Sequence, residues 1–179
     1  MITAADVKVL RNQVEKAIES LEPTLVVSDD DHSSARKLIY ELPDVLSDIA
    51  EGVLPSAEHI ARAAITACKD IQFRDYLMGL FTEFDTKLVG GYLEIINNSV
   101  VAEYAYPATT VLSTYYFRDG DKETAMAAVL EVLDRKPDYS LAKLLVRIFP
   151  MAGDDVFTNM ASALHPKVKA GIFKEGDNN

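Results

Sequence analysis

The sequence has one cysteine, no tryptophan and no excess of basic residues. A lone thiol, Cys68, excludes a disulfide scaffold and a zinc site built from cysteines, and it indicates a reducing compartment. No apolar run approaches the roughly 20 residues that cross a bilayer. The first residues also lack the basic-then-apolar pattern of a secretory signal. We therefore expect a soluble, acidic, cytoplasmic protein.

Motifs for catalysis and cofactor binding are missing as well. The chain has no GxSxG, P-loop or GxGxxG sequence, and the glycines in 89–92 lack the spacing of a phosphate cradle. His32, His59 and His165 are far apart and form no paired metal motif, and His59 near a helix start suggests a capping role. Cys68 falls on an apolar stripe, which is typical of a small core residue. We expect no catalytic residue, no cofactor and no metal ion.

Acidic residues dominate the charge, and they are concentrated at one end. The chain has a net charge of −10, and residues 1–58 hold 12 acidic and 5 basic side chains. A general electrostatic grip on nucleic acid or on an anionic membrane is therefore not expected. Two interpretations of the acidic first third remain open: a solvated helix face, or a surface that binds a basic partner or mimics nucleic acid.

Helical periodicity extends almost from end to end. The first helix is predicted after Thr3, with Asp6 in its first turn and an apolar stripe close to heptad spacing. Pro43 predicts a kink or two abutting helices, and the Gly90–Gly91 pair a break or a close approach of two helices. The predicted stripes and helices lie at 7–21, 35–49, 60–68, 73–84, 92–101, 107–117, 122–135, 139–149 and 154–164.

The pattern predicts an all-α fold, a bundle of about eight or nine helices. The one β-like run, 24–27, is short and has no partner strand. We expect a single domain over residues 1–173, with acidic helices in 1–58, a helical core in 59–173 and a frayed tail in 174–179.

The segment 106–139 resembles one tetratricopeptide repeat. Tyr116 takes the aromatic position, Gly120 the turn, Ala125 the close contact of the two helices and Pro137 the late proline. One unit predicts an antiparallel helical hairpin, because a binding groove normally needs three or more repeats.

A second resemblance covers residues 55–149. It is carried by the Arg74–Asp75 pair before an apolar helix, the Gly120–Asp121 turn, the small residues Ala125 and Ala128, and the block PDYSLA at 137–142. These features resemble the C-terminal part of a domain family of unknown function that is widespread in actinobacteria. The resemblance implies common origin and no particular chemistry. Family members are usually longer, and residues 1–56 do not match them, so we expect a shortened version, such as one encoded by an actinobacterial phage or another mobile element.

The densest cluster of potential ligands is Asp29, Asp30 and Asp31, followed by His32. Carboxylates and an imidazole suit a divalent cation, but four consecutive side chains cannot all face one ion. An acidic loop before Ser33 is favoured by the helix dipole and needs no ligand, so the helix N-terminus is the preferred interpretation.

Arg74 and Asp75 precede the apolar stripe at 73–84 and lie off its apolar face. The guanidinium could bind a carboxylate or phosphate of a partner, or each residue could bond within the bundle. Tyrosines are dense between 104 and 117, and Tyr104 and Tyr115 are candidates for an exposed interface, although packing in the core is the alternative.

The leading hypothesis is a non-enzymatic protein–protein interaction or adaptor module. Its partner would bind a patch among the tyrosines or the first helix, whose stripe suits internal packing or a homodimer. The alternative is an acidic surface for a basic partner, and an unrecognised enzyme is third.

Overall fold

The computed structural model describes residues 2–174, which form nine α-helices and one 3₁₀ turn, Leu80–Thr82. Those residues contain no strand, only an isolated bridge between Ser28 and Asp31. The prediction of an all-α multi-helix bundle is confirmed. Residues 175–179 of the predicted tail lie outside the described range. The helices are α1 (Ala4–Leu21), α2 (Ser33–Ala50), α3 (Ala57–Lys69), α4 (Ile71–Met78), α5 (Thr86–Ser99), α6 (Ala102–Arg118), α7 (Lys122–Arg135), α8 (Ser140–Ile148) and α9 (Val156–Phe173).

Side-chain caps fix several helix starts. At α1 the Thr3 hydroxyl accepts from the Asp6 N–H, and the Asp6 carboxylate accepts from the Thr3 N–H at 2.8 Å. This reciprocal pair satisfies two backbone donors that have no partner within the helix. Ser56 caps α3 and Asp121 caps α7 by the same N-cap contact. The predicted starts of α1 and α7 are confirmed.

Three local expectations are corrected. Of the two alternatives expected at Pro43, two abutting helices are excluded, because α2 continues through the proline. Gly90 and Gly91 neither end α5 nor let another helix approach, since a Cβ at either position would meet no atom within 4 Å. The stripe at 73–84 is not one helix: α4 ends at Met78, and the chain continues through Gly79 into the 3₁₀ turn.

The apolar stripe of α1 is used inside the molecule. Leu10, Val14 and Ile18 are buried where α1 packs against α3 and α5. The near-heptad spacing therefore serves internal packing, and this face is not free to form a homodimer.

Buried apolar side chains form two clusters. The larger involves α1 to α6 and the end of α9, with Tyr76, Tyr92 and Phe73 among its largest buried side chains. The smaller joins the end of α6 to α7, α8 and the start of α9 through Phe117, Phe149 and Phe157. α6 belongs to both clusters, and it also packs against α3, α4, α5 and α7.

α6 and α7 form a closely packed pair joined by three residues. Gly120 in that connection has φ 87°, a left-handed conformation that favours glycine. Ala125 is fully buried, as expected of the close helix–helix contact. The helical pairing matches the sequence expectation, and its classification as a tetratricopeptide repeat stays a prediction.

Within residues 2–174, no helix has both the length and the apolar character needed to cross a bilayer.

Candidate functional site

The acidic cluster before α2 is dispersed over different partners. Asp29 accepts a hydrogen bond from the Ile71 N–H at 2.8 Å, at the start of α4. Asp31 accepts from the N–H and hydroxyl of Ser33 at 3.0 and 2.6 Å, and these bonds hold the pKa of Asp31 below its usual range. The Asp30 N–H donates to a serine hydroxyl within the same loop. Asp29 and Asp31 thus stabilise two different helix starts.

His32 and the buried Asp70 are far apart in the sequence but form a hydrogen-bonded pair. The His32 Nδ1 lies 2.7 Å from Asp70 Oδ2, while Asp70 Oδ1 accepts from the Phe73 N–H. The imidazole therefore bonds away from the neighbouring aspartates. Within residues 2–174, no group of three or more histidine, cysteine or acidic side chains is placed to hold one metal ion.

Of the two candidate tyrosines, Tyr115 is buried. It is 2% exposed, and its hydroxyl donates to the Leu77 carbonyl at 2.9 Å. Of the two alternatives for Tyr115, the structure shows packing in the core and not an exposed interface residue, because α6 is surrounded by other helices. Tyr104 is half-buried beside Cys68, whose thiol donates to the Tyr104 carbonyl. Burial raises the pKa of the Cys68 thiol to about 11, so the thiol stays protonated at neutral pH.

Arg74 and Asp75 bond to each other on α4. The guanidinium donates twice to Asp75 Oδ1, at 2.9 and 2.7 Å. The Arg74 side chain is largely buried, and its guanidinium also lies 6.0 Å from the ring centre of Tyr139. Both residues thus bond within the bundle, and the pair also lines the apolar groove described below.

A groove lies between α8 and α9, with α4 as its floor, and we call it the α8/α9 groove. α8 packs against α7, and α9 packs against α4, so the two helices face each other across an open space of about 230 Å³. Most of the lining is apolar or thioether. The lining residues are Arg74, Asp75, Met78 and Gly79 on the floor, Leu141 and Leu144 on α8, and Phe157, Met160, Ala161, Leu164, His165 and Val168 on α9.

Two leucines mark the edges of this groove. Leu144 on α8 is 50% exposed and Leu164 on α9 is 48% exposed. Singly exposed leucines are common on protein surfaces, but two on opposite walls of one apolar groove are typical of an interaction site.

The two helices that flank the groove carry basic residues outside its lining, although the chain is acidic. α8 carries Lys143 and Arg147, α9 carries Lys167 and Lys169, and neither helix has an acidic residue. Lys143 pairs with Asp138 and Lys169 with Glu83, which leaves Arg147 and Lys167 as the basic residues of these two helices that form no ion pair within residues 2–174. Their positive charge favours an acidic ligand.

His165 fixes α9 against the floor. Its Nε2 lies 2.6 Å from Glu83 Oε1, and its ring stacks on Tyr76 with centroids 4.8 Å apart. Lys169 bonds the second oxygen of Glu83 at 2.6 Å. Partial burial raises the pKa of Glu83, but the bonds from Lys169 and His165 outweigh it and hold that pKa below its usual range. The wall formed by α9 is thereby held in place.

Sequence analysis did not identify a second polar cluster, which lies between α2, α3 and α5. His59 is buried, and its Nδ1 lies 2.9 Å from Glu41 Oε2 while its Nε2 lies 2.9 Å from the Tyr92 hydroxyl. Arg62 pairs with Glu41 and Glu58. The capping role suggested for His59 is therefore incomplete, because its ring joins α2, α3 and α5. No local signal marks this, since the partners are 18 and 33 residues away.

We predict a pH-dependent stability from His59. Burial lowers the pKa of His59; Arg62 adds to this, and Glu41 opposes it. The unfolded chain therefore binds the proton more tightly than the folded one, and stability is lost as pH falls below about 6.5. Chemical denaturation at pH 7.5 and pH 5.5 should show a larger loss for the wild type than for His59→Gln, whose amide does not titrate. An equal loss in both proteins would contradict this role.

One family model matches residues 2–151, and its description is Domain of unknown function (DUF4192). The match starts at residue 2, so the expectation that the family likeness begins near residue 55 is wrong. No curated protein and no solved structure matches the chain.

Proposed function

Because the chain belongs to the family described as Domain of unknown function (DUF4192), whose description assigns no activity, we propose a function from geometry. The protein is a protein–protein interaction module, and the α8/α9 groove is its docking surface. The observation that carries the proposal is an apolar groove edged by half-exposed Leu144 and Leu164 and walled by basic helices.

The occupant is an acidic amphipathic helix of another protein. A helix that inserts apolar residues at i, i+3, i+4 and i+7 between α8 and α9 covers Leu144 and Leu164, and it gives α8 a packing partner opposite α7. Acidic residues on its flanks would meet the exposed Arg147 of α8 and Lys167 of α9.

A second copy of this chain is a poorer occupant. The α1 stripe and the α2 stripe, Leu38, Leu42 and Leu46, are both buried in the larger cluster. These helices of a second copy would have to unfold from their own core before they could insert.

The proposal is tested with a fluorescein-labelled synthetic helix that carries leucines at i, i+3, i+4 and i+7 and glutamates on its other face. Fluorescence anisotropy should show binding that weakens as salt rises, and a matched peptide with lysine for glutamate should bind at least tenfold more weakly. Leu144→Asp and Leu164→Asp should each weaken binding at least tenfold, because each places a charge in the apolar contact.

Leu130→Asp is the matched control. Leu130 lies on α7, is 52% exposed and does not line the groove, so its replacement should leave peptide binding unchanged. Circular dichroism melting verifies that each variant is folded. Equal weakening by Leu130→Asp, or no binding of the acidic peptide to the folded wild type, would overturn the proposal.

A further inference from the structure

The α8/α9 groove has the features of a pocket for one aromatic side chain. Its volume of about 230 Å³ is below the roughly 300–1,000 Å³ of ordinary small-molecule pockets, so it suits a single ring system. Met78 and Met160 line it, and thioether sulfurs make favourable contacts with aromatic rings. The Arg74 guanidinium adds a cation for the face of such a ring.

Asp75 supplies the polar contact of the pocket. Both hydrogen bonds from Arg74 reach Asp75 Oδ1, while Oδ2 accepts none from any side chain or backbone group in residues 2–174. A guest that covers this carboxylate removes water from it, which is unfavourable unless the guest donates a hydrogen bond. The guest must therefore be apolar over most of its surface and carry one donor.

We propose that this pocket takes the indole ring of a tryptophan on the docking helix, with the ring N–H donating to Asp75. Tryptophan combines a large apolar surface, the strongest cation–π face and a single donor. The inference rests on the proposed function, since the ring belongs to the docking helix. The chain has no tryptophan, so a second copy cannot supply it.

Because the chain has no tryptophan, binding of a tryptophan derivative can be measured directly from the emission of that derivative. N-acetyl-tryptophanamide is titrated with the protein, and its emission is followed with excitation where tyrosine does not absorb. Binding should shift the emission to the blue. The N1-methyl derivative, which lacks the donor, should bind about tenfold more weakly, the fold-change expected for a lost hydrogen bond to a charged group.

Ala161→Leu fills the pocket and should abolish the shift, whereas Ala163→Leu, on the exposed side of the same helix, should not change it. The N1-methyl comparison uses the wild type and stays decisive if Ala161→Leu does not fold. Equal binding of the N1-methyl derivative or of N-acetyl-phenylalaninamide would overturn the donor contact. Equal binding of N-acetyl-tyrosinamide would overturn the choice of tryptophan.

The synthetic helix separates this inference from the proposed function. A version with tryptophan at one groove position should bind at least tenfold more tightly than the leucine version. Equal binding of both helices, with no shift for the free amide, overturns the tryptophan pocket and leaves the docking groove standing. A shift for the free amide, with neither helix bound, supports the indole pocket and overturns the docking function.

Discussion

Replacing Phe117 with alanine is expected to lower the free energy of unfolding by about 3–5 kcal/mol. Phe117 is fully buried and stacks on Phe149 with ring centres 4.9 Å apart, while Phe157 meets it edge-on at 5.4 Å. Phe149 and Phe157 contact each other at 5.7 Å. The three rings join the end of α6 to α8 and α9, so the deletion leaves a cavity at the centre of the smaller cluster.

Urea denaturation followed by circular dichroism measures this loss. Tyr40→Ala is the control, because Tyr40 is 73% exposed and meets Phe173 in a T-shaped contact with ring centres 5.5 Å apart. Its cost should be below about 1 kcal/mol. Similar costs for the two variants would show that the three-ring cluster does not stabilise the fold.

Apolar periodicity and the capping and turn residues at helix ends predicted most of the helices, because both depend on residues that are close together in the sequence. The Thr3–Asp6 pair and the Gly120 turn depend on neighbours within one or two helical turns. α7 has the predicted bounds, Lys122–Arg135. α9 is longer than predicted, since it continues past Leu164 to Phe173 along a face defined by tertiary packing, chiefly on α4.

The burial of Tyr115 could not be predicted in the same way. α6 is covered on most sides, so polar residues do not mark an exposed face. Thr110, Ser113 and Thr114 are buried as well, and their hydroxyls donate to carbonyls three or four residues earlier in the helix. A helix that satisfies its polar side chains internally has no amphipathic pattern for sequence analysis to detect.

Sequence analysis identified only one part of the candidate site. Arg74 and Asp75 stood out as a charged pair beside an apolar stripe, and they do line the groove. The opposite walls come from residues 141–144 and 157–168, and their approach depends on tertiary packing. The basic character of α8 and α9 is hidden in the sequence by the acidic excess of the chain as a whole, whose net charge is −10.

Gly79→Ala is the second substitution with a large expected effect, about 1–3 kcal/mol of lost stability. A Cβ at Gly79 would lie 2.7 Å from Cγ and 2.8 Å from Cβ of His165, and it would also clash with His165 Nδ1. The imidazole cannot easily move away, because its Nε2 bonds Glu83 and its face stacks on Tyr76. α9 must therefore shift from the floor of the groove, and binding of the acidic helix should weaken together with stability.

Gly90→Ala is the matched control, with the opposite expected sign. Gly90 lies inside α5, and a Cβ there meets no atom within 4 Å, so the substitution should stabilise by about 0.5–1 kcal/mol through helix propensity. Thermal denaturation of both variants, with peptide anisotropy at a temperature where both are folded, separates the two effects. A stable Gly79→Ala protein with unchanged binding would show that α9 adjusts without cost. In that case the Glu83–His165–Tyr76 contacts would not determine the width of the groove.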